Sequence, residues 1–288
     1  MNLLSGEKSQ MKYALFTDNL ADMKIEQVCR EVRKRGFDGL DLTLRPGGHV
    51  LPKNAEMGLA HAHQVAMREK VEILMASTGI NGTDSPFARD VIASCAHYGV
   101  RQIKLGYWRY QPFGSLLKQI DTARRKLEGL IKLTSRFGIQ PCVHVHSGRI
   151  LANGGSILYL VLKDFDPKTV GAYVDPMHMT VEGGLSGWEM GLDLVAPWVS
   201  LVGIKNFQWK PKGRDEHGQA RFRTVYVPLA DGQAPLPNFV ARLKELKYDG
   251  TVSLHSEYKG GSSFRSLTSV ELLDQSAVDL KYFKRIVK

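Results

Sequence analysis

Cysteine is scarce in this chain: Cys29, Cys95 and Cys142 are widely spaced, odd in number and without a CxxC pair. A disulfide framework and a cysteine-held zinc are thereby excluded as organising devices, and a reducing compartment is the expectation. No run approaches the roughly 18 apolar residues of a membrane-spanning helix. Met1 to Gln10 lacks an apolar stretch long enough for a signal peptide. A glycine-rich phosphate fingerprint is missing too, because Phe16-Thr17-Asp18-Asn19 follows the first strand-like run where a dinucleotide fold carries GxGxxG. No low-complexity segment or linker divides the chain. These absences predict a cytoplasmic protein with no membrane partner, residues 1–11 as a poorly ordered leader and residues 12–288 as one domain.

What is present begins with charge. Thirty-nine Lys and Arg against 29 Asp and Glu give a formal net charge of +10. A nucleic-acid binder concentrates such charge on one element. Here the basic runs Arg30-Glu31-Val32-Arg33-Lys34-Arg35, Arg124-Arg125-Lys126 and Lys281-Tyr282-Phe283-Lys284-Arg285 have helical spacing and read as solvated outer faces. No nucleic-acid partner is expected, and the remaining consequence is a positive field that attracts anionic small molecules.

Short apolar runs rich in Val, Ile, Leu and Phe alternate with stretches of helical periodicity. The strand candidates are 13–17, 39–43, 72–77, 102–106, 140–145, 170–175, 201–206 and 252–257. Between them, sets such as Ile25, Val28, Cys29 and Val32 share one helical face. Glycines at 36, 99, 138 and 250 stand where helices hand over to strands. Eight βα units in 288 residues predict a (β/α)8 TIM barrel, an α/β single domain.

Chemistry in such barrels sits at the C-terminal ends of the strands. His144 and His146 alternate onto one face and can bind a metal, or divide between ligand and base. Asp175-Pro176-Met177-His178 places a carboxylate at a strand end with an imidazole three residues on, followed by what reads as an irregular loop through Thr180-Val181-Glu182-Gly183-Gly184. His255 and Glu257 repeat the same-face pairing on the last strand. Lys205 can hold a substrate oxygen or an anionic group, and Arg45 and His49 lie in a glycine-flexed loop after the second strand. Trp108 offers an aromatic face suited to a sugar ring.

The barrel count, Gly36-Phe37-Asp38-Gly39-Leu40-Asp41, Asp175-Pro176-Met177-His178, Ile204-Lys205-Asn206 and Ser253-Leu254-His255-Ser256-Glu257 resemble the xylose-isomerase-like sugar isomerase/epimerase superfamily, which includes ketose 3-epimerases and endonuclease IV. The resemblance covers nearly the whole chain from Lys12. It implies a divalent metal (manganese, zinc, cobalt or magnesium) held by a Glu, an Asp, a His and a Glu on strands five to eight, with the glutamates moving the proton. Asp175 matches the metal Asp and His178 the substrate-holding His. His144 stands in place of the first Glu, Gly203 in place of the strand-seven His, and His255 or Glu257 in place of the last Glu. Imidazole for carboxylate favours borderline metals such as zinc, and a lost ligand leaves an open site or none.

The expected ligands are therefore Asp175, His144 and His255. His146, Glu257, His144 and Lys205 are the expected catalytic groups, and His178, Lys205, Arg45, His49 and Trp108 the substrate-binding ones. The expected reaction is isomerisation or epimerisation of a sugar or sugar phosphate by proton abstraction beside a carbonyl. The loops at 45–49 and 180–184 also resemble a bacterial subgroup related to lyases that eliminate an aglycone from 3-keto-glycosides by means of a strand-five histidine, which gives one alternative. A sugar-binding barrel without turnover is the other. Relatives that pair their barrels make a homo-oligomer a family-level expectation.

Overall fold

The computed structural model describes residues 11–288. Of the expected leader 1–11, all but Met11 lies outside the described residues. The eight barrel strands are β1 (Lys12–Phe16), β2 (Gly39–Leu44), β3 (Glu72–Thr78), β4 (Gln102–Lys104), β5 (Gln140–His144), β6 (Gly171–Val174), β7 (Val199–Ile204) and β10 (Thr251–Leu254). All pair in parallel and close into a barrel of order β1-β10-β7-β6-β5-β4-β3-β2. The expected fold is the one observed, and every strand boundary lies within three residues of its expected position.

The helices are α1 (Ile25–Lys34), α2 (Ala55–Glu69), α3 (Ala88–His97), α4 (Leu116–Ser135), α5 (Gly154–Leu162), α6 (Pro176–Val195), α7 (Leu236–Glu245) and α8 (Ser269–Val287). In α1 the buried residues are Ile25, Val28, Cys29 and Val32, the face its spacing predicts. Gly36 (φ +80°) and Gly138 (φ +63°) supply the left-handed turn that ends a helix and starts a strand. Gly250 does not, because Lys247 (φ +53°) has already reversed the chain after α7.

Two differences from the expectation bear on the site. Residues 176–183 are helical, so the glycine-containing stretch after Asp175 is the first half of α6; the irregularity is confined to Gly184 (φ +63°, ψ −148°), where the helix kinks. Secondly, a hairpin absent from the expected pattern, β8 (Asn206–Arg214) with β9 (Ala220–Val227), rises from the end of β7. Two cores result. A large one lies between barrel and helices, and a small one of Met75, Cys142, Tyr173 and Leu201 fills the barrel's interior. Period-two alternation then aims the next inward residues, His144, Asp175, Lys205 and His255, above that plug at the barrel mouth.

Candidate active site

The barrel mouth holds a cavity of about 280 Å³ lined by Arg45, Lys104, Tyr107, His146, Lys205 and Glu257, among others. Asp175 is the pivot beneath it. As N-cap of α6 its Oδ1 accepts the backbone N–H groups of Met177 (2.9 Å) and His178 (3.2 Å). This leaves Oδ2 turned toward the imidazoles, 3.8 Å from His144 Nε2 and 3.9 Å from His178 Nε2. The two imidazoles are pinned on their other sides: His144 Nδ1 lies 3.0 Å from the Tyr107 hydroxyl and His178 Nδ1 2.8 Å from Ser147 Oγ.

The three remaining atoms, Nε2, Oδ2 and Nε2, are buried without a hydrogen-bond partner among the described residues. They lie within 4.8 Å of one another. Buried polar atoms left unsatisfied are rare unless something else uses them. The arrangement fits a metal ion: one donor free on each residue, the opposite atom fixed by an outer partner. Burial, reinforced by neighbouring cations, holds both imidazoles well below their ordinary pKa, so they are neutral at pH 7, the form in which an imidazole can coordinate. Burial pushes the Asp175 carboxyl up to about 6, although Lys205 and His255 pull it down. His144, Asp175 and His178 could hold a metal, and a set of two imidazoles and one carboxylate suits borderline ions such as zinc or iron(II) more than magnesium.

His255, expected as a ligand, stands outside this group. Its Nε2 is 2.6 Å from the Tyr173 hydroxyl and its ring stacks on Phe16 at 4.5 Å. His178, expected to hold substrate, is inside the group. Glu257 faces the cavity and is bonded by Lys205 Nζ at 2.9 Å, while Lys205 also lies 3.9 Å from Asp175 Oδ2. Burial would raise the Glu257 carboxyl, but Lys205 and His255 outweigh it and bring it to about 2. Burial opposes the Lys205 charge, and Glu257 with Asp175 reverses that and raises its pKa. The pair is a fixed carboxylate and a fixed ammonium at any pH near neutrality.

His146 lies just past the end of β5, not in the strand, and still lines the cavity. Its Nδ1 lies 2.8 Å from the Ser147 carbonyl, which can only accept, so in the neutral ring Nδ1 carries the proton and Nε2 the lone pair. Burial, then Lys205, pushes it down to about 4. Arg45 reaches the cavity with its guanidinium 2.7 Å from Asp18 Oδ2.

Two expected substrate contacts are displaced. Trp108 donates its indole N–H to the Asn81 carbonyl at 2.8 Å and lines a neighbouring surface pocket instead. His49 does not line the cavity, because its ring is packed where burial keeps it neutral, near Asp18 and Asp22. Several further residues line the cavity. Lys104 is a polar strand end that the sequence shows. Tyr107 follows β4, and Tyr226 comes from β9, whose alternation in Arg221-Phe222-Arg223-Thr224-Val225-Tyr226 was the available signal.

A closed parallel barrel with titratable side chains gathered at the C-terminal mouth defines an enzyme-type site. The family model for xylose isomerase-like TIM barrels matches residues 29–284, and the chain belongs to that family. No curated protein matches the sequence significantly. Among solved structures it is similar to D-psicose 3-epimerase from Clostridium cellulolyticum H10, solved with D-tagatose (TM-score 0.73, 15% identity, 96% of this chain and 100% of that one). It is likewise similar to 3-keto-D-glucoside 4-epimerase from E. coli (TM-score 0.70, 14% identity, 96% and 100%). A xylose isomerase-like protein from Mycobacterium smegmatis in complex with magnesium gives TM-score 0.70 at 17% identity, covering 96% of each chain. No helix among the described residues is long and apolar enough to cross a membrane.

Proposed function

We propose that this protein is a carbohydrate isomerase or epimerase that moves a proton at the carbon beside a carbonyl. The observation that carries the reading is the convergence of three unpartnered buried donor atoms, on His144, Asp175 and His178, beside a neutral imidazole and a fixed ammonium. The similarity to two sugar epimerases supports it.

His144, Asp175 and His178 would hold a divalent metal, which when bound polarises the carbonyl as a Lewis acid. His146 Nε2 takes the proton from the carbon next to that carbonyl, because its other nitrogen is committed to Ser147. Charge then develops on the carbonyl oxygen, where the Lys205 ammonium, oriented by Glu257 and Asp175, stabilises it. Glu257 lines the same cavity and is the second base; ionised at rest, it must first take up a proton, from solvent or from the Lys205 ammonium bonded to it, before it can return one to the carbon from another direction and complete an epimerisation. Tyr107 and Ser147 keep the ring nitrogens of His144 and His178 in place.

The test is hydrogen exchange. Incubated in D2O with a panel of ketoses and keto-glycosides, the metal-loaded protein is expected to incorporate deuterium at the carbon beside the carbonyl of at least one. Absence of exchange across the panel, with metal bound and the sugar shown to bind, overturns the proposal in favour of a barrel that only binds.

A second reading, elimination of an aglycone from a 3-keto-glycoside, is favoured by one observation. An apolar cavity of about 360 Å³, lined by Leu44, Pro46, Leu51, Ile80, Phe87 and Val91, lies beside the mouth, and Arg45, between Leu44 and Pro46, faces the polar cavity. The same enolate would expel a leaving group lodged there. Released aglycone in place of an isomeric sugar separates the two reactions.

A further inference from the structure

We infer that the substrate carries one anionic group, a carboxylate or a phosphate, and that Lys104 at the end of β4 receives it. This rests on the reading of the mouth as a sugar site and adds the substrate's charge to it.

The argument is one of charge pairing. Four cationic side chains line the cavity: Arg45, Lys104, Lys205 and Lys259. Three of them have carboxylate partners, Arg45 with Asp18 at 2.7 Å, Lys205 with Glu257 at 2.9 Å and Lys259 with Asp22 at 2.9 Å. Lys104 has none within 4.0 Å among the described residues, and its ammonium makes no hydrogen bond there, although the residue is only 3% exposed. Its one close partner is the face of the Tyr107 ring, 3.7 Å from Nζ to the centroid.

A buried ammonium without a counter-charge is costly, and a single aromatic face recovers only part of the loss. Arg45 and Lys205 add repulsion, which the more distant carboxylates of Asp41 and Asp18 offset only in part. Burial, then Arg45, accordingly pushes the amine down to about 7. An arriving anion removes the mismatch. Ser77 is the register partner of Lys104 across the β3–β4 ladder and also lines the cavity, so a hydroxyl donor and the ammonium face the same space. The anion would therefore meet a charge-assisted hydrogen bond and a neutral one together.

The experiment measures binding of D-fructose, 2-keto-D-gluconate and D-fructose 6-phosphate to the full chain by titration calorimetry, for the wild type, Lys104→Met and Lys104→Arg. In the wild type one anionic sugar is expected to bind at least about tenfold tighter than D-fructose, the range of a hydrogen bond to a charged group. Which one does so distinguishes carboxylate from phosphate. Lys104→Met is expected to bring that ratio to about one, and Lys104→Arg to restore most of it. A lysine that only supports the fold would weaken all three sugars alike and leave the ratio intact. Wild-type protein with no preference for either anion, or a ratio unchanged in Lys104→Met, overturns the inference. Deuterium exchange on whichever sugar binds reports separately on proton transfer, so failure here and failure of the enolisation reading are distinguishable.

Discussion

Tyr173 occupies the space that a side chain on Gly203 would need. A Cβ on Gly203 would lie 3.2 Å from Tyr173 Cε2 and 3.4 Å from its hydroxyl oxygen, and 3.4 Å from Asp175 Oδ2. The tyrosine uses that room to reach His255 Nε2 at 2.6 Å and the Asp41 carboxylate at 3.4 Å. The strand-seven position at which the resemblance implies a metal-binding histidine thus belongs, in this barrel, to a tyrosine from strand six.

Gly203→Ala is accordingly expected to destabilise the fold by about 1–3 kcal/mol, the range for overpacking a filled interior. A lowered urea midpoint with an unchanged slope would bear this out. Unchanged stability would show that the tyrosine can yield.

Metal uptake follows from the donor set. Purified protein is expected to bind about one zinc, cobalt or iron(II) per chain and magnesium more weakly. Asp175→Asn, His144→Ala and His178→Ala should each abolish it, by elemental analysis after dialysis against the ion. Tyr107→Phe leaves every ligand in place and removes the partner of His144 Nδ1, so it should weaken metal affinity about 10- to 100-fold. Equal affinity in Tyr107→Phe would mean that the hydroxyl does not orient the ring.

Proton transfer is assigned to His146 and Glu257. His146→Gln is expected to reduce kcat about 10²- to 10⁴-fold, together with deuterium exchange beside the carbonyl. Glu257→Gln should lower epimerisation while leaving part of the exchange, since His146 still removes the proton. Loss of turnover with full exchange in His146→Gln would instead make Glu257 the first base.

Glu257 also makes stability depend on pH. Its carboxyl ordinarily titrates at 4.5 and is brought to about 2 in the fold, so the folded state holds fewer protons than the unfolded one between those values. The stabilisation is fully present above about pH 4.5 and is lost as pH falls toward 2. Asp175, raised by burial to about 6, has the opposite sign: its contribution is lost as pH rises through that value. The difference in unfolding free energy between wild type and Glu257→Gln removes most of the Asp175 effect, because Glu257 is the smallest of the causes that shift it. It should shrink steadily from pH 5 to pH 3 in urea titrations; a difference that is flat with pH would remove the Lys205 pair as its origin.

The sequence carries the barrel and much of its mouth because both depend on local regularities. Apolar runs of strand length separated by helical periodicity recur along the chain; alternation turns His144, Asp175, Lys205 and His255 inward, and their place at the C-terminal ends of parallel strands puts them at one mouth. Asp175 shows why a local pattern underdetermines a role. As an N-cap it starts a helix where the sequence reads as a loop, and only one of its oxygens does that work. The hairpin at 206–227 is only weakly marked in the sequence: β9 alternates over 221–226, but β8 has no such pattern and the outer part of both strands is exposed, so no apolar face runs the length of the pair.

What the sequence by itself determined is therefore the fold, the end of the barrel that holds the chemistry, and most of the side chains gathered there. Which of those side chains share a point was decided by tertiary structure. His178 rather than His255 joins His144 and Asp175, because a helical turn after the cap carries it back over the strand end and Tyr173 claims the other imidazole. Trp108 and His49 are turned away and Tyr226 brought in by loops and a hairpin whose course depends on packing between distant segments. Periodicity fixes which way a residue faces within its own element; the distance between residues of different elements is set only when the barrel closes.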